Sequence, residues 1–549
     1  MRSPGLLVLD VDRIATDADG VQGFTWPVSH AEVTAMRDAT VVNLISAIRT
    51  LDEENADYFH AFSILLPAFV IEVLNLFQAH ALVRRAGAVG IKVAGTRASF
   101  IDALSQHSPI PQSPTLEMLT QGLNGQNSRH HSARRAIGDL RRSWQLNGPS
   151  LAAIRPLSSA ANVLTFQTNL PLIRSHARST HSFVWYKHPE RWFTSLKTLP
   201  RIDRSSNGLE SIDNFLAAVG QGFKAGNEEI TNSQIKHLQN WLTGSIALVS
   251  HRLEELRTNP NKLPHVLWTG NGTNLWSRML RHAVRLEGGT VTGHDHGAGS
   301  SHLSADVASF TELESCDTFV TFTDAGAAAL RQKLQPTRMM NGTIPNIIAL
   351  DSKIAKRRMT LPIDLEHKSR ASHERRAIKT IMYPGSLYQG GFSTSFGLGL
   401  PDVVTLDWEA RLFSKLNDWG FQVLHKPHPG SVSLPGALAE SFGGRTLTDR
   451  FERVMGQADA FVLFPSLQST VTPLLLASSK PTVYVDAGLF PLTEKAYELL
   501  SRRCAIVHGW IDGDNRIQAE WDELRSAIEL SRDLADTSIV DHYWGNRWY

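Results

Sequence analysis

The run His294-Asp295-His296-Gly297-Ala298-Gly299 sets one carboxylate between two imidazoles in a glycine-rich stretch. Aspartate can act as nucleophile or general base, and histidine as proton carrier or phosphate contact. Glycine lets a ligand approach the backbone closely. The same residues also suit a polar loop whose aspartate merely caps the next turn. His-Asp-His lacks the i, i+4 spacing of a helical zinc site and has no evident third ligand, so no metal is expected.

Two more runs carry groups that suit an anion. In Lys426-Pro427-His428-Pro429-Gly430 the prolines stiffen the chain and hold Lys426 and His428 at fixed positions. In Ser466-Leu467-Gln468-Ser469-Thr470, hydroxyls precede an apolar run that reads as a helix, Val471–Ser479. Hydroxyls and N–H groups at a helix start bind anions, although an ordinary N-cap needs only one of them.

These runs need elements to position them. From Pro264 onward, short apolar runs alternate with helix-like periods. His265–Gly270, Cys316–Thr323, Lys379–Gly385, Phe421–Gly430, Ala458–Phe464 and Pro481–Asp486 read as strands or strands entering loops. Trp276–Leu286, Asp324–Leu334 (with Asp324 as N-cap), Trp408–Trp419, Arg450–Gly456 and Trp521–Leu534 read as helices. This alternation predicts α/β structure with parallel sheets, whose ligands lie beyond the carboxyl ends of the strands. The charge-dense run Asp351–Arg376 reads as a linker. The expected organisation is residues 1–350 with the Asp295 loop, the linker 351–376, and residues 377–549 as a nucleotide-sugar-binding unit whose tail packs back.

The first 260 residues read as mainly helical, over Val33–Leu51, Phe59–Val83 and Ile212–Leu256, with strands at Leu6–Leu9, Ala88–Val93, Asn162–Phe166 and Ser182–Tyr186. Gly122–Arg135 reads as a polar loop, and Ala61–Phe77 as a buried core helix interrupted by Pro67, Glu72 and Asn75. The chain's 549 residues suit more than one domain. Lys+Arg 55 against Asp+Glu 53 leaves 55 − 53 = +2, which argues against a nucleic-acid partner. Cys316 and Cys504 stand far apart, which excludes a disulfide framework and a cysteine zinc site. The opening MRSPGLLVLDVDRI has too short an apolar core for a signal peptide. The expected location is the cytoplasm, with peripheral contact at the inner membrane compatible with it.

The three runs, with Ala477–Val485 (ASSKPTVYV) after the last, resemble bacterial surface-polysaccharide glycosyltransferases of the two-Rossmann GT-B type, over about Pro264–Phe490. The similarity is greatest to the β-Kdo transferases of capsule and lipopolysaccharide assembly, which use cytidylate-activated donors. The resemblance implies a donor-phosphate role for His428, Ser469 and Thr470, donor contacts from Gly297, Lys426, Pro429 and Ser466, and a catalytic role for Asp295 with His294 and His296. It implies a CMP-sugar substrate, a glycan acceptor that includes lipid-linked ones, and no metal or other cofactor. Lys426 or an arginine such as Arg278 would meet the Kdo carboxylate. The alternatives are a CDP-polyol phosphotransferase or other nucleotide-sugar transferase, and a catalytically degenerate carbohydrate-binding protein.

Overall fold

The structure is a computed structural model that describes residues 6–8, 26–51, 56–89, 92–94, 130–147, 162–165, 170–189, 192–193, 206–258, 263–296, 300–306, 308–350, 377–388, 400–429, 431, 438–465, 467, 469–530 and 536–545. The expected linker 351–376, Gly297, Gly430 and Ser466 lie outside them.

In chain order the elements begin with β1 (Leu6–Val8), α1 (His30–Arg49), α2 (Ala56–Ala88), β2 (Lys92–Ala94), α3 (His130–Asn147), β3 (Asn162–Thr165), α4 (Leu170–Ser179) and β4 (Val184–Tyr186). Next come α5 (Ser206–Ala225), α6 (Asn232–Arg257), β5 (Val266–Thr269), α7 (Leu275–Leu286), β6 (Thr290–His294), a π turn (Ser309–Leu313), β7 (Thr318–Thr321), α8 (Asp324–Lys333) and β8 (Asn346–Ala349). Strands β3 to β8 form a six-stranded sheet, order β4-β3-β5-β6-β7-β8, parallel throughout.

The second set is β9 (Thr380–Pro384), α9 (Asp402–Asp418), β10 (Gln422–Lys426), α10 (Leu438–Ser441), β11 (Arg445–Thr446), α11 (Phe451–Val454), β12 (Ala460–Leu463), α12 (Thr472–Ala477), β13 (Thr482–Asp486), α13 (Glu494–Ser501), β14 (Ala505–Ile511), β15 (Ile517–Ala519), α14 (Trp521–Glu529) and α15 (Ser538–Tyr543). Its seven strands run in the order β11-β10-β9-β12-β13-β14-β15. All neighbours are parallel except β14 and β15. The fold is therefore α/β with two mainly parallel sheets.

Several expectations change. Leu6–Val8 pairs only with Lys92–Ala94, in a sheet of its own, and Ala88 ends α2 instead of opening a strand. His130–Arg135 belongs to α3, so the expected loop over 122–135 is helical in its second part; residues 122–129 lie outside the described set. The long helix expected over 212–256 breaks at Gly226–Thr231, where Asn227 takes φ 60° and Thr231 caps α6 through a capping box with Gln234. Thr323, not Asp324, is the N-cap of α8.

α2 is the central helix of the first part. Tyr58–Ala88 is long and apolar enough to cross a membrane, yet 78% of its most apolar window is buried in the fold. Pro67 sits inside it. A proline lacks the N–H that would bond the carbonyl four residues earlier. That carbonyl, of Ser63, instead accepts from Arg278 Nη2 at 2.6 Å.

The two sheets are stitched at a seam. Leu303 and Leu492 form an antiparallel bridge, Ser304 N–H donates to Pro491 O at 2.9 Å, and Thr493 N–H donates to His302 O at 3.0 Å. Beside the seam, Ile539, Val540, Tyr543 and Trp544 enter one buried cluster with Val320 and Phe322 from one sheet and Met382, Leu424 and Phe461 from the other.

Candidate functional site

The Asp295 run leaves the end of β6, inside its sheet. Backbone pairing continues one residue past the strand, because Asp295 N–H donates to Val320 O at 2.9 Å. His294 is wholly buried. Its Nδ1 lies 3.2 Å from Thr269 O and its Nε2 3.0 Å from His176 Nδ1. His176 in turn stacks on Trp268, ring centroids 4.3 Å apart. Burial holds His176 down at about 4, and burial with the neighbouring His176 holds His294 well below the imidazole range. Both rings are neutral at pH 7. The sequence allowed His294 a phosphate contact, but its burial and its committed nitrogens make it a brace for the turn.

Asp295 is 5% exposed, and its Oδ2 lies 3.5 Å from Thr321 Oγ1. His296 Nδ1 pairs with Glu312 Oε1 at 3.0 Å. Glu312 raises the His296 pKa to about 9 against the effect of burial, and Asp295 adds to the pull. With 42% of its side chain exposed, His296 still meets solvent. It is an imidazolium at neutral pH, which supplies positive charge and cannot accept a proton. Burial works to raise the Glu312 pKa, but His296, Arg281 and the Gly272 N–H (2.9 Å) outweigh it and bring it below the usual range. Lys333 Nζ donates to Ser300 O and to Leu303 O, and burial draws it down to about 8 against the fields of Asp306 and Asp295. Asp295 thus has two cations within electrostatic reach.

The other runs lie at the carboxyl ends of the second sheet. Lys426 ends β10, is 7% exposed, and donates to Pro427 O at 3.0 Å. Burial lowers its pKa while Glu452 and Asp449 oppose. Burial and then Lys426 lower the His428 pKa, so this imidazole offers a phosphate a neutral N–H. Pro429 comes next, in a turn. α12 starts at Thr472, spans six residues and has no side-chain cap. Ser469 Oγ accepts from Val471 N–H at 3.4 Å, and Thr470 is exposed, ahead of the helix. So short a helix contributes little dipole. Any anion contact there rests on the hydroxyls and loop N–H groups.

β9 lies between β10 and β12 in the sheet. The His-Pro loop and the Pro465–Thr470 loop therefore flank its end, about 10 Å apart at two strand spacings. β9 runs into Gly385, whose N–H donates to Lys426 O at 2.9 Å. A side chain there would lie 2.5 Å from His425 Nε2. Beneath sits a buried polar group: Glu409 accepts from Tyr388 OH at 2.6 Å and lies 3.7 Å from His425 Nε2. Burial raises Glu409 to about 7, and burial with Lys426 lowers His425 to about 3, so near neutrality the imidazole is uncharged and Glu409 is in mid-titration.

Arg278 cannot serve a donor carboxylate. It is wholly buried, and besides Ser63 O it donates to Phe310 O and Thr311 O, each at 3.0 Å. Glu312, Lys333, Glu409 and His425 shape the two loop groups, yet only His425 had a sequence signal, its place directly before Lys426-Pro427-His428. The others lie on neighbouring elements, outside the runs themselves. Among the described residues no cluster of three or more His, Cys, Asp or Glu forms a metal-binding group. Compared with known proteins, the chain matches no family model and no curated protein at a significant level.

Proposed function

We propose that this protein is a glycosyltransferase of bacterial surface-polysaccharide assembly, with a two-Rossmann arrangement and a CMP-activated donor, most specifically CMP-Kdo. The observation that carries the reading is the pairing of two strand-end loop groups. A buried carboxylate, Asp295, flanked by His296 and Lys333, ends a strand of one parallel sheet. Lys426, His428 and the Ser469–Thr470 hydroxyls lie along the carboxyl edge of the other.

In this reading the donor phosphate accepts from His428 and from the Ser469–Thr470 loop, with Lys426 adding charge. Asp295 attacks the anomeric carbon. The C–O bond to the phosphate breaks, CMP departs with the electron pair, and the acceptor hydroxyl then displaces Asp295 while losing its proton to solvent or to the freed carboxylate. Two displacements give net retention. His296 and Lys333 place positive charge near the attacking carboxylate.

A thermal-shift panel tests the donor: CMP and CDP are expected to stabilise the protein more than UMP, GMP or AMP. Equal shifts, or a preference for UDP, would sink the cytidylate reading. Intact-protein mass after incubation with CMP-Kdo and no acceptor tests the chemistry. An added Kdo mass that disappears in Asp295→Asn is the expected result; no adduct with an inverted product overturns the nucleophile.

A further inference from the structure

The carboxyl edge of the second sheet carries a cleft that none of the three sequence runs lines. It is an open cleft of about 600 Å³ between the start of α1 and the ends of β13 and β14. This is the size of a small-molecule site. On β14, Val507 faces the core shared with Leu524 and Ile528 of α14. Side chains alternate along a strand, so His508 and Trp510 face the opposite way. Both are exposed, and their rings stack on each other, centroids 5.7 Å apart and planes 20° from parallel. The stacked pair is the aromatic floor of the cleft. The walls are Ser29 and His30 on one side and Asp486 to Leu489 on the other.

The charge of the lining selects the ligand. Asp486 and Asp512 are present, and the lining contains no Lys or Arg. Asp512 is consumed in its own turn, accepting from the N–H groups of Asp514 and Arg516, both at 2.9 Å, and from Gln518 Nε2. Asp486 lines the cleft and accepts from Gly488 N–H at 3.0 Å through Oδ1, one of its two carboxylate oxygens. A phosphate or carboxylate would meet carboxylates and no lysine or arginine in the lining. A neutral ring with one C–H face for the aromatic floor and hydroxyls that donate to a carboxylate fits both features.

We propose that this cleft binds a neutral pyranose ring of the acceptor glycan, stacked on Trp510 and hydrogen-bonded to Asp486. The assignment to the acceptor rests on the transferase reading; the chemistry of the cleft does not. The chain itself links the cleft to the Asp295 loop. The segment that walls the cleft at Asp486–Leu489 continues to Pro491–Thr493, which pairs with His302–Ser304, a few residues beyond His296.

Saturation-transfer NMR on the whole chain, with methyl β-D-galactopyranoside, methyl α-D-mannopyranoside and N-acetyl-D-glucosamine as probes, tests it. Transfer to the ring C–H protons of at least one probe is expected, weakened about tenfold in Trp510→Ala and again in Asp486→Leu. Trp510 is 37% exposed, so its removal should leave the fold intact, which circular dichroism checks. No transfer from any probe, transfer unchanged in Trp510→Ala, or displacement of the sugar by cytidine would each overturn the proposal. CMP stabilisation measured on the same samples separates the two readings. Nucleotide binding without sugar binding defeats this inference alone, whereas sugar binding without nucleotide binding defeats the transferase and leaves a glycan-binding protein.

Discussion

Arg278, Arg281 and Arg503 are wholly buried, and each donates to main-chain carbonyls at or near helix ends and turns. Arg503 reaches Leu475 O, Leu476 O, Ser478 O and Lys480 O at the end of α12; Arg281 reaches Glu312 O and Glu314 O after the π turn. The carbonyl groups at a helix end must find donors, and a guanidinium offers several in one plane. Arg278 does the same for a proline-made gap, and burial draws it down to only about 10, so it stays charged. Arg278→Met strands the carbonyls of Ser63, Phe310 and Thr311 and should cost about 3 kcal/mol. In a Pro67→Ala background the new N–H can bond Ser63 O, so the same change should cost about 1 kcal/mol less. Urea unfolding of the four proteins measures this. Strict additivity would show that Arg278 does not serve the Ser63 carbonyl.

Glu409 on α9, His425 on β10 and Tyr388 after β9 bring three elements to one buried point beneath the His-Pro loop. An unfolded glutamate ionises near about 4.3, whereas in the fold Glu409 keeps its proton up to about 7. Between those values the folded state holds a proton that the unfolded state has lost, so stability falls as pH rises through the window. The loss should total about 4 kcal/mol. Glu409→Gln should flatten that slope in urea titrations across the window; an unchanged slope would mean that another group titrates there. The elements themselves were largely legible. Strands β5, β7, β9, β10, β12 and β13 fall inside their apolar runs because each is short, continuous and followed by turn residues. β14 was not legible: His508, Gly509 and Trp510 dilute its apolar character, although Asp512-Gly513-Asp514-Asn515 between Ile511 and Ile517 is a hairpin signal. The site was legible as three runs but not as an environment. Glu312 and Glu409 lie on neighbouring elements outside the runs, and only the parallel topology brings them beneath the loops.

Among the described residues, the two halves meet at the seam, at Trp26, whose N–H donates to Asp514 O at 2.9 Å, and through α15. Thr323 Oγ1 donates to His542 O, and Tyr543 OH lies 3.1 Å from Thr493 Oγ1, so this helix touches both sides. Tyr543 and Trp544 are each 1% exposed. Trp544→Ala should cost about 3–5 kcal/mol through the cavity it leaves. Because the loss falls on the joint, calorimetry should resolve one transition into two as the halves uncouple. A single transition shifted downward would instead show that the halves unfold together without it.

α15 leaves the ribosome after every other described element. A domain folds as a unit once its own strands have emerged, so the sheet of β3–β8 can form while the sheet of β9–β15 is still being made. The cluster that joins them stays open until Ile539–Trp544 arrives to fill it. Until then Val320 and Phe322 lack those partners, and the nascent chain shows an apolar surface that a chaperone can hold. Of the described elements, the one that locks the two sheets together is therefore made last.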